Sequence, residues 1–453
     1  MTRFPAFAAS ALLLLVPAVA GAEETLTLDR AVRETLLHNA SLRAGRAAEA
    51  AEAAQVTVAR SAWFPRVSVA ESWQRGDQPV FVFSSLLSAR RFTSDRFAID
   101  ALNHPDATGF FRASIGVELL LFDGGRTRSA VQGARIRREI AALAVDEAAS
   151  GLALAATQTF GRVLASDAQR RASEAARDAA GEDLARAERR RDLGLATDAD
   201  VLALAAHTAD LDERVIRAQG DAAVARAELN RLMGAPVGRT YDIAAPADPG
   251  GAPAPEAPLE VLLEEAERSR PELQRAMASA RLAETARHGA RSALVPQVAA
   301  QAAADFSGLR FGDRASAWMV GGEVRWSLSL GGAEIAQVAA AAQSRARARA
   351  EADDVRAAVQ VDVVTALRRL EEARARQAAG QAAVAQARES HRIIRDRFDA
   401  GMAGVTDVLR ASSAVVDAEA RQATALVDAM VSGAMLRRAL GRAPLDADPG
   451  DME

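Results

Sequence analysis

The stretch Phe398–Arg410, FDAGMAGVTDVLR, interrupts a long region of the sequence that is rich in alanine, arginine and glutamate. Within it, Gly401 precedes the run Asp407-Val408-Leu409, and the same pattern occurs once more, at Gly194 and Asp200-Val201-Leu202. The two copies lie 207 residues apart. Glycine commonly ends a helix, and aspartate is favoured where the next helix begins. The pattern therefore predicts two equivalent turns, each at the end of a long helical hairpin.

Outward from these turns, the chain repeats itself at two constant offsets. The offset of 207 residues also relates Gly124-Gly125 to Gly331-Gly332, and Gly234 to Gly441. Nearer the N-terminus the offset is 231 residues, and it relates Leu28, Leu42 and Pro65 to Leu259, Leu273 and Pro296. Constant offsets over such lengths indicate a duplicated structural unit, whose first copy has 24 additional residues between the proline and the double glycine.

Each unit is predicted to contain an opening helix, two strands and a long helical hairpin. The opening helices, at about 28–63 and 259–294, end where proline prevents their continuation. The predicted segments are a signal peptide at 1–22, a first repeat at 23–234, a linker at 235–258, a second repeat at 259–441 and a C-terminal tail at 442–453. The predicted strands are at about 66–75, 110–122, 297–306 and 316–330, and the predicted hairpins are at about 125–234 and 332–441.

The strands alternate apolar and polar residues, and the clearest example is the segment beginning at Trp318, in which Val320, Val324 and Trp326 share one face. Strands of about ten residues with one apolar face are typical of a membrane β-barrel. An amphipathic sheet that covers a soluble core is the alternative. The remaining sequence is helical and offers little to pack on such a sheet, which favours the barrel. Glu71 is the exception to the alternation, since it falls on the apolar face.

Composition excludes several classes of protein. Cysteine is absent, so the chain has no disulfide, thiolate metal site or cysteine nucleophile. Aromatic residues make up only 4%, which suits long alanine-rich helices better than a compact globular core. The formal charge of −4 carries no signature of a nucleic-acid partner. None of the five histidines has a second ligand at metal spacing, and no phosphate-binding loop occurs. We expect no enzymatic activity, no metal and no cofactor.

The N-terminus predicts an exported protein. Arg3 precedes the apolar core Ala11–Val16, and small residues at Ala18-Val19-Ala20 or Ala20-Gly21-Ala22 offer a cleavage site. A membrane anchor is the alternative interpretation, but the apolar run is too short and Pro17 interrupts it.

Several motifs resemble those of the TolC family of outer-membrane channels, in the same doubled order. They are LTLDRAV with LLHNASL near the first opening helix, WFPRVSV and LVPQVAA at the helix-to-strand junctions, LFDGGR at a strand-to-helix junction, and GLATDADVL and GMAGVTDVL at the turns. The resemblance covers essentially the whole mature chain. No single motif is very specific, and the order of the set carries the identification.

The resemblance implies a mainly α fold with a membrane β-barrel part, built from two repeats of helix–strand–strand–long helix–helix. It implies a homotrimer in which each protomer contributes four strands to one 12-stranded barrel in outer-membrane lipid and four helical strands to a periplasmic tunnel. The residues alone reach part of this, because four strands cannot close a barrel and open edges in lipid leave backbone groups unsatisfied.

The function that the resemblance implies is that of a passive exit duct in the outer membrane of a Gram-negative bacterium, with a large periplasmic part. Such a duct serves a tripartite efflux or type I secretion-like system. Its partners are a periplasmic adaptor, also called a membrane fusion protein, and an inner-membrane pump of the RND, ABC or MFS type. A periplasmic coiled-coil adaptor or scaffold is the alternative, but an adaptor would have one hairpin and this chain has two.

The two turns are the predicted functional sites. By motif match, the residues that face the adaptor are Gly194, Leu195, Thr197, Gly401, Met402 and Thr406. The residues expected at the periplasmic aperture are Asp200, Phe398 and Asp407. Three copies of Asp407 around a narrow mouth would form a ring that favours cations. Equally, each aspartate could simply cap the returning helix.

The second turn departs from the gated members of the family. Those members have a tyrosine where this chain has Phe398 and an arginine where it has Ala403. Phe398 has no hydroxyl and Ala403 has no side-chain donor, so the closing bonds that the resemblance would imply cannot be transferred.

The insertion at 75–109 is expected to be an extracellular loop. Its phenylalanines make it too apolar for a solvated loop, which predicts a partial lid over the barrel mouth. The predicted lid residues are Phe81, Phe83, Phe92 and Phe97.

Overall fold

The computed structural model describes residues 25–194, 196–244 and 257–442. The predicted signal peptide, half of the predicted linker, nearly all of the predicted tail and the predicted docking residue Leu195 lie outside the described residues.

The two repeats share a succession of two opening helices, two strands and a long hairpin, to which the first adds β1 and the helices of its insertion. The first comprises β1 (Thr25–Leu26), α1 (Leu28–His38), α2 (Ala40–Ser61), β2 (Arg66–Gly76), α3 (Pro79–Ser88), α4 (Ile99–Asn103), β3 (Thr108–Phe122), α5 (Arg126–Asp192) and α6 (Asp198–Met233). After β4 (Asp242–Ile243), the second comprises α7 (Leu259–Ser269), α8 (Pro271–Arg291), β5 (Gln297–Arg310), β6 (Asp313–Arg325), α9 (Ala333–Asp399) and α10 (Val405–Ala439). The short strand β1 pairs with β4 in parallel. The predicted fold class is confirmed.

Each opening helix is broken into two, whereas the sequence predicted one continuous helix. Between α1 and α2, the extended backbone of Asn39 lets its side chain accept a hydrogen bond from the Ser41 amide at 2.9 Å. Between α7 and α8, Arg270 is extended because the following Pro271 disfavours helical backbone in the residue before it. Capping by asparagine and the steric effect of proline therefore override the helical periodicity.

The strands β2, β3, β5 and β6 form one antiparallel sheet in the order β2-β3-β5-β6. The fourth strand ends at Arg325 rather than at the predicted position 330. Arg325 is paired with Gln297, the first residue of β5, and Pro296 precedes it. Residues 326–330 continue the apolar alternation. They extend past the first residue of β5, so β5 offers them no pairing partner and the strand ends.

The insertion between β2 and β3 is folded and contains α3, a 3-10 turn at Ser94–Phe97, and α4. Its core is small and apolar. Val82 and Leu86 are buried, and the rings of Phe83 and Phe97 each meet Phe92 edge-on, at centroid distances of 4.9 Å and 5.5 Å. Burial of Val82 and Leu86, together with the ring contacts of Phe92, explains why an apolar insertion does not remain a solvated loop.

The described residues form two compact units. The tip unit consists of 25–37, 155–194, 196–244 and 372–431, and the sheet unit consists of 38–154, 257–371 and 432–442. The tip unit has one core around Phe160, Leu229 and Met233 and a second, smaller one at the turns. The sheet unit has a core that includes Leu262, Leu370 and Leu440.

Apolar packing, rather than ion pairing, holds the helices of the tip unit together. Ion pairs do join neighbouring helices, for example Arg226 with Asp167 at 2.6 Å and Arg388 with Glu419 at 2.6 Å. Arg388 is exposed, and a surface pair of this kind contributes only about 0–1 kcal/mol. Asp167 is buried, so its pairing with Arg226 mainly offsets the cost of burying the carboxylate. Fully burying one leucine or phenylalanine contributes roughly 1.5–3 kcal/mol.

Among the described helices, α5 alone is long and apolar enough to cross a membrane, by length and composition. Its apolar window is mostly accessible, with 17% of the window buried. One such helix is weak evidence for a membrane span, and alanine accounts for much of the apolar character of this one.

Candidate functional site

The first turn joins α5 to α6 and is closed by a glycine and a reciprocal cap. Gly194 has a φ of +74° and its amide donates to the Arg191 carbonyl at 2.8 Å. The hydroxyl of Thr197 accepts a hydrogen bond from the Asp200 amide at 3.2 Å, and the Asp200 carboxylate accepts one from the Thr197 amide at 3.0 Å. These bonds form a capping box, which satisfies amides that would otherwise be unpaired at the start of α6.

The second turn joins α9 to α10 with the same geometry but a weaker cap. Gly401 has a φ of +73°, and its amide donates to the Phe398 carbonyl at 2.9 Å. Gly404 stands where the first turn has Thr197, so no hydroxyl is available to cap α10. The Asp407 carboxylate accepts only a long bond, 3.3 Å, from the Gly404 amide, and the guanidinium of Arg410 lies 3.6 Å away.

The two predicted aperture aspartates therefore differ in their availability. Asp200 is engaged by the capping box, and the hydrogen bonds from the backbone and side chain of Thr197 lower the pKa of its carboxyl group. The Asp407 side chain is half exposed and less constrained. Of the two roles considered for each aspartate, a charge at the aperture and a cap of the returning helix, Asp200 has the cap. Asp407 caps its helix only weakly and keeps an accessible charge.

An apolar cluster brings the two hairpins together behind the turns. Ala187 of α5 and Leu204 of α6 are buried against Val405, the first residue of α10. Phe398, which was predicted at the aperture, packs against this same cluster and is half-buried. Its ring therefore contributes to the joining of the hairpins within one protomer.

Arg190 links the end of α5 to the end of α9. Its guanidinium donates hydrogen bonds to the carbonyls of Phe398, at 3.0 Å, and Asp399, at 3.3 Å. It also lies 5.2 Å from the centroid of the Phe398 ring. A cation at the last carbonyls of a helix is favoured by the helix dipole. Sequence reasoning missed this residue, although the run of arginines at 189–191, immediately before the turn, was a usable signal.

Arg395 makes a second link between the hairpins. Its guanidinium lies 3.2 Å from the Glu182 carboxylate and 3.4 Å from that of Asp183. Arg395 lies six residues before Gly401 in the sequence. The partners could not be found from the sequence, because they are more than 200 residues away along the chain.

The predicted docking residues that are described are all accessible. Gly194, Thr197, Gly401 and Thr406 are exposed, and Met402 is 65% exposed. Two further apolar side chains near the turns, Leu193 and Leu202, are also strongly exposed and were not predicted. Open space surrounds both turn glycines, so the backbone there is approachable.

The four predicted lid phenylalanines make aromatic contacts in or beside the folded insertion. Phe83, Phe92 and Phe97 form one chain of edge-on contacts, and Phe81 meets Phe110 at a centroid distance of 6.4 Å. Two arginines fasten the insertion to β6. Arg90 donates to the Ser316 carbonyl at 2.9 Å, and Arg91 pairs with Asp313.

No cluster of three or more histidine, aspartate or glutamate side chains with the geometry of a metal site occurs among the described residues.

Comparison with known proteins identifies the fold. The chain is similar to the outer membrane protein VceC of Vibrio cholerae, with 18% identity, coverage of 92% of this chain and 97% of that one, and a TM-score of 0.74. It is similar to CusC, with 15% identity, 92% coverage of each chain and a TM-score of 0.78. For the CmeC outer membrane channel of Campylobacter jejuni the identity is 14%, the coverage 97% and 94%, and the TM-score 0.76. No curated protein sequence matches the chain.

The doubled strand and hairpin architecture defines the protein as a protomer of a TolC-like outer-membrane channel. The profile of the family described as "Outer membrane efflux protein" matches residues 31–235 and 262–442, and the chain belongs to this family. The predicted family, the predicted function as an outer-membrane efflux channel and the predicted location in the outer membrane with a periplasmic helical part are confirmed. The protein is an efflux channel and not an enzyme, and the alternative of a periplasmic adaptor or scaffold is set aside.

Proposed function

We propose that three copies of the chain form the duct and that the tip unit couples it, through a periplasmic adaptor, to an inner-membrane pump of the RND, ABC or MFS type. Self-assembly is inferred from the order of the sheet, β2-β3-β5-β6, because its edge strands β2 and β6 are each paired on one side only. Unpaired edges in lipid leave backbone groups unsatisfied, so another copy has to supply their partners.

The apolar surface of the protomer supports the same proposal. Trp318, Val320 and Val324 share one face of β6 and are each at least 70% exposed. The apolar window of α5 is likewise mostly accessible. Exposed apolar area of this extent is typical of surfaces covered by lipid or by another subunit.

The turns are the proposed docking sites of the adaptor. Gly194, Leu195 and Thr197 of the first turn and Gly401, Met402 and Thr406 of the second would face it. The exposure of the described members and the open space at the glycines support this assignment.

Met402→Glu places a charge on an apolar contact, and we expect it to weaken capture of the adaptor encoded with this channel. Val224→Glu, on an exposed apolar position of α6 away from the turns, is the matched control.

At the aperture, Asp407 is the proposed source of negative charge, with Asp200 and Phe398 supporting the turns. If three copies of Asp407 form a ring, divalent or trivalent cations added on the tip side should block single-channel current, and Asp407→Asn should relieve the block. Asp200→Asn should change the block much less, because its carboxylate is held in the capping box. Equal block in Asp407→Asn and the unmodified channel would refute the ring.

The folded insertion is the proposed lid of the extracellular mouth, with Phe81, Phe83, Phe92 and Phe97 as its aromatic framework. Its attachment to β6 through Arg90 and Arg91 supports the proposal, since it holds the insertion over one strand of the sheet.

A further inference from the structure

Two histidines of the tip unit have buried ring nitrogens with no hydrogen-bond partner. They are His207 of α6 and His391 of α9, and in each case the Nε2 atom is the one left without a partner. Both residues are half-buried. A buried polar atom without a partner costs roughly 1–3 kcal/mol, so two of them in one region of the protein need an explanation.

The carboxylate of Asp183 in α5 is close enough to interact electrostatically with the imidazoles of His207 and His391. Its carboxylate is buried, accepts a hydrogen bond from the Arg186 guanidinium at 2.6 Å and lies 3.4 Å from Nε of Arg395. Asp183, His207 and His391 thus come from three helices that belong to both hairpins. We call these three residues the histidine joint.

The joint lies next to the apolar cluster that holds the turns together. Leu184 follows Asp183 in the sequence and packs on that cluster, and Leu204, one helical turn before His207, is part of it. A change in the charge of the joint therefore acts where the two hairpins meet.

Two carboxylates near the joint are already paired with arginines. Asp183 is already shared between two arginines, and Asp210 of α6 pairs with Arg214 at 3.0 Å. On α9, Asp399 is within electrostatic reach of Asp183. Glu419 of α10 pairs with Arg388, which precedes His391 by one helical turn. The charged groups that interact with the joint are Arg186, Arg395 and Asp399 at Asp183, and Asp210 and Arg214 at His207.

We propose that the histidine joint is a proton-sensitive contact between the two hairpins, closed at neutral pH and loosened in mild acid by protonation of His207. Loosening would separate the end of α9 from α5 and α6. This inference rests on the proposed function, in which the turns surround the periplasmic aperture, and it takes that aperture to be the closable end of the duct.

The direction of the pH effect follows from burial. Desolvation lowers the pKa of His207, so the closed joint binds a proton less readily than an open one. The closed state is thus favoured above the ordinary histidine pKa of about 6.5 and loses that advantage as the pH falls below it.

Two carboxyl groups of the tip unit also have shifted pKa values. Burial raises the pKa of Asp183, so protonation of this carboxyl group favours the closed joint and acts against the effect of the histidine. Hydrogen bonds from Thr197 lower the pKa of Asp200, so the cap of α6 stays ionised throughout mild acid.

Hydrogen exchange of the assembled channel, followed by mass spectrometry at pH 7.5 and pH 5.5, tests the proposal. After correction for the intrinsic pH dependence of exchange, peptides covering 183–210 and 388–400 should exchange severalfold faster at the lower pH. Peptides from β3 and β5 should show no such increase. In the double variant His207→Gln, His391→Gln, the increase should disappear. His104→Gln, at an exposed position of the insertion, is the matched control and should behave as the unmodified protein.

Asp183→Asn provides a second and independent arm. Without the carboxylate, a protonated imidazole in the closed joint loses a favourable negative neighbour, so the closed joint binds a proton still less readily and the loosening between pH 7.5 and pH 5.5 should be larger than in the unmodified channel. A purely structural role for Asp183 would instead speed exchange equally at both pH values. Unchanged exchange of the unmodified channel between pH 7.5 and 5.5 would overturn the proposal.

Single-channel conductance separates this inference from the proposed function. Faster exchange accompanied by higher conductance at pH 5.5 supports both. Faster exchange with unchanged conductance would keep the proton-sensitive joint but refute the turns as the closable end of the duct.

Discussion

Thr197 and Gly404 occupy equivalent positions in the two turns, and only the threonine supplies a capping hydroxyl. Thr197→Ala should destabilise the start of α6 by about 1 kcal/mol, because the Asp200 amide loses its partner. The measurement is hydrogen exchange of the first turn of α6. Thr406→Ala is the matched control, since this threonine is exposed and the structure shows no hydrogen bond from its side chain. Equal effects of the two substitutions would contradict the capping assignment.

At the scale of single residues, the sequence predicted positions better than roles. The glycines at 194 and 401 were predicted as turn residues, and both have the positive φ that favours glycine. The sequence could not decide between charge and cap for Asp200, because that depends on whether Thr197 reaches its amide. Nor could it find the link from Arg190 to the carbonyls of α9, which depends on how two distant segments meet.

The packing of α5 differs along its length, and two of its glycines show the difference. A Cβ atom on Gly161 would approach Val427 Cγ1 to 2.6 Å and Met430 Cε to 2.9 Å, whereas one on Gly181 would meet nothing within 4 Å. Gly161→Ala should therefore destabilise the protein by roughly 1–3 kcal/mol through overpacking. Gly181→Ala should stabilise it by roughly 0.5–1 kcal/mol, because alanine is the better helix former. Thermal unfolding of the two variants is the measurement, and a stabilising Gly161→Ala would refute the close approach of α5 and α10.

The insertion allows a separate prediction at the scale of elements. Arg90 has a φ of +55°, the left-handed conformation that glycine usually supplies at the end of a helix, and its side chain holds the Ser316 carbonyl. Arg90→Gly should relieve the backbone strain and yet release the insertion from β6. We expect faster proteolysis within 75–109 in intact cells for this variant, and no change for Arg96→Ala, whose partner Asp95 is in the same 3-10 turn. Proteolysis that is equally fast in the unmodified channel would argue against a lid.

The strands illustrate what period-two alternation can and cannot establish. Glu71 breaks the apolar face of β2, and the structure supplies the reason, because the Arg314 guanidinium pairs with its carboxylate through contacts of 2.9 Å and 3.0 Å. Alternation also predicted that the fourth strand would reach position 330, although it ends at Arg325, where its partner strand begins. Periodicity describes the faces of a strand, whereas its ends depend on the neighbour with which it pairs.

At the scale of the whole molecule, the duplication predicted the succession of opening helix, two strands and hairpin in each repeat, and the motifs in doubled order predicted the family. Constant offsets survive because both copies keep the same turns and strand junctions, while the side chains between them diverge. The number of subunits is not written in the sequence, because it depends on how the edges of β2 and β6 meet between copies. That number is the central claim of the proposed function.

The most direct test is native mass spectrometry of the channel extracted from outer membranes in mild detergent. The proposed duct predicts a single species of three times the mass of the mature chain, with its edge strands protected from hydrogen exchange. A monomer recovered from the soluble periplasmic fraction, or an assembly of a different number of copies, would contradict it.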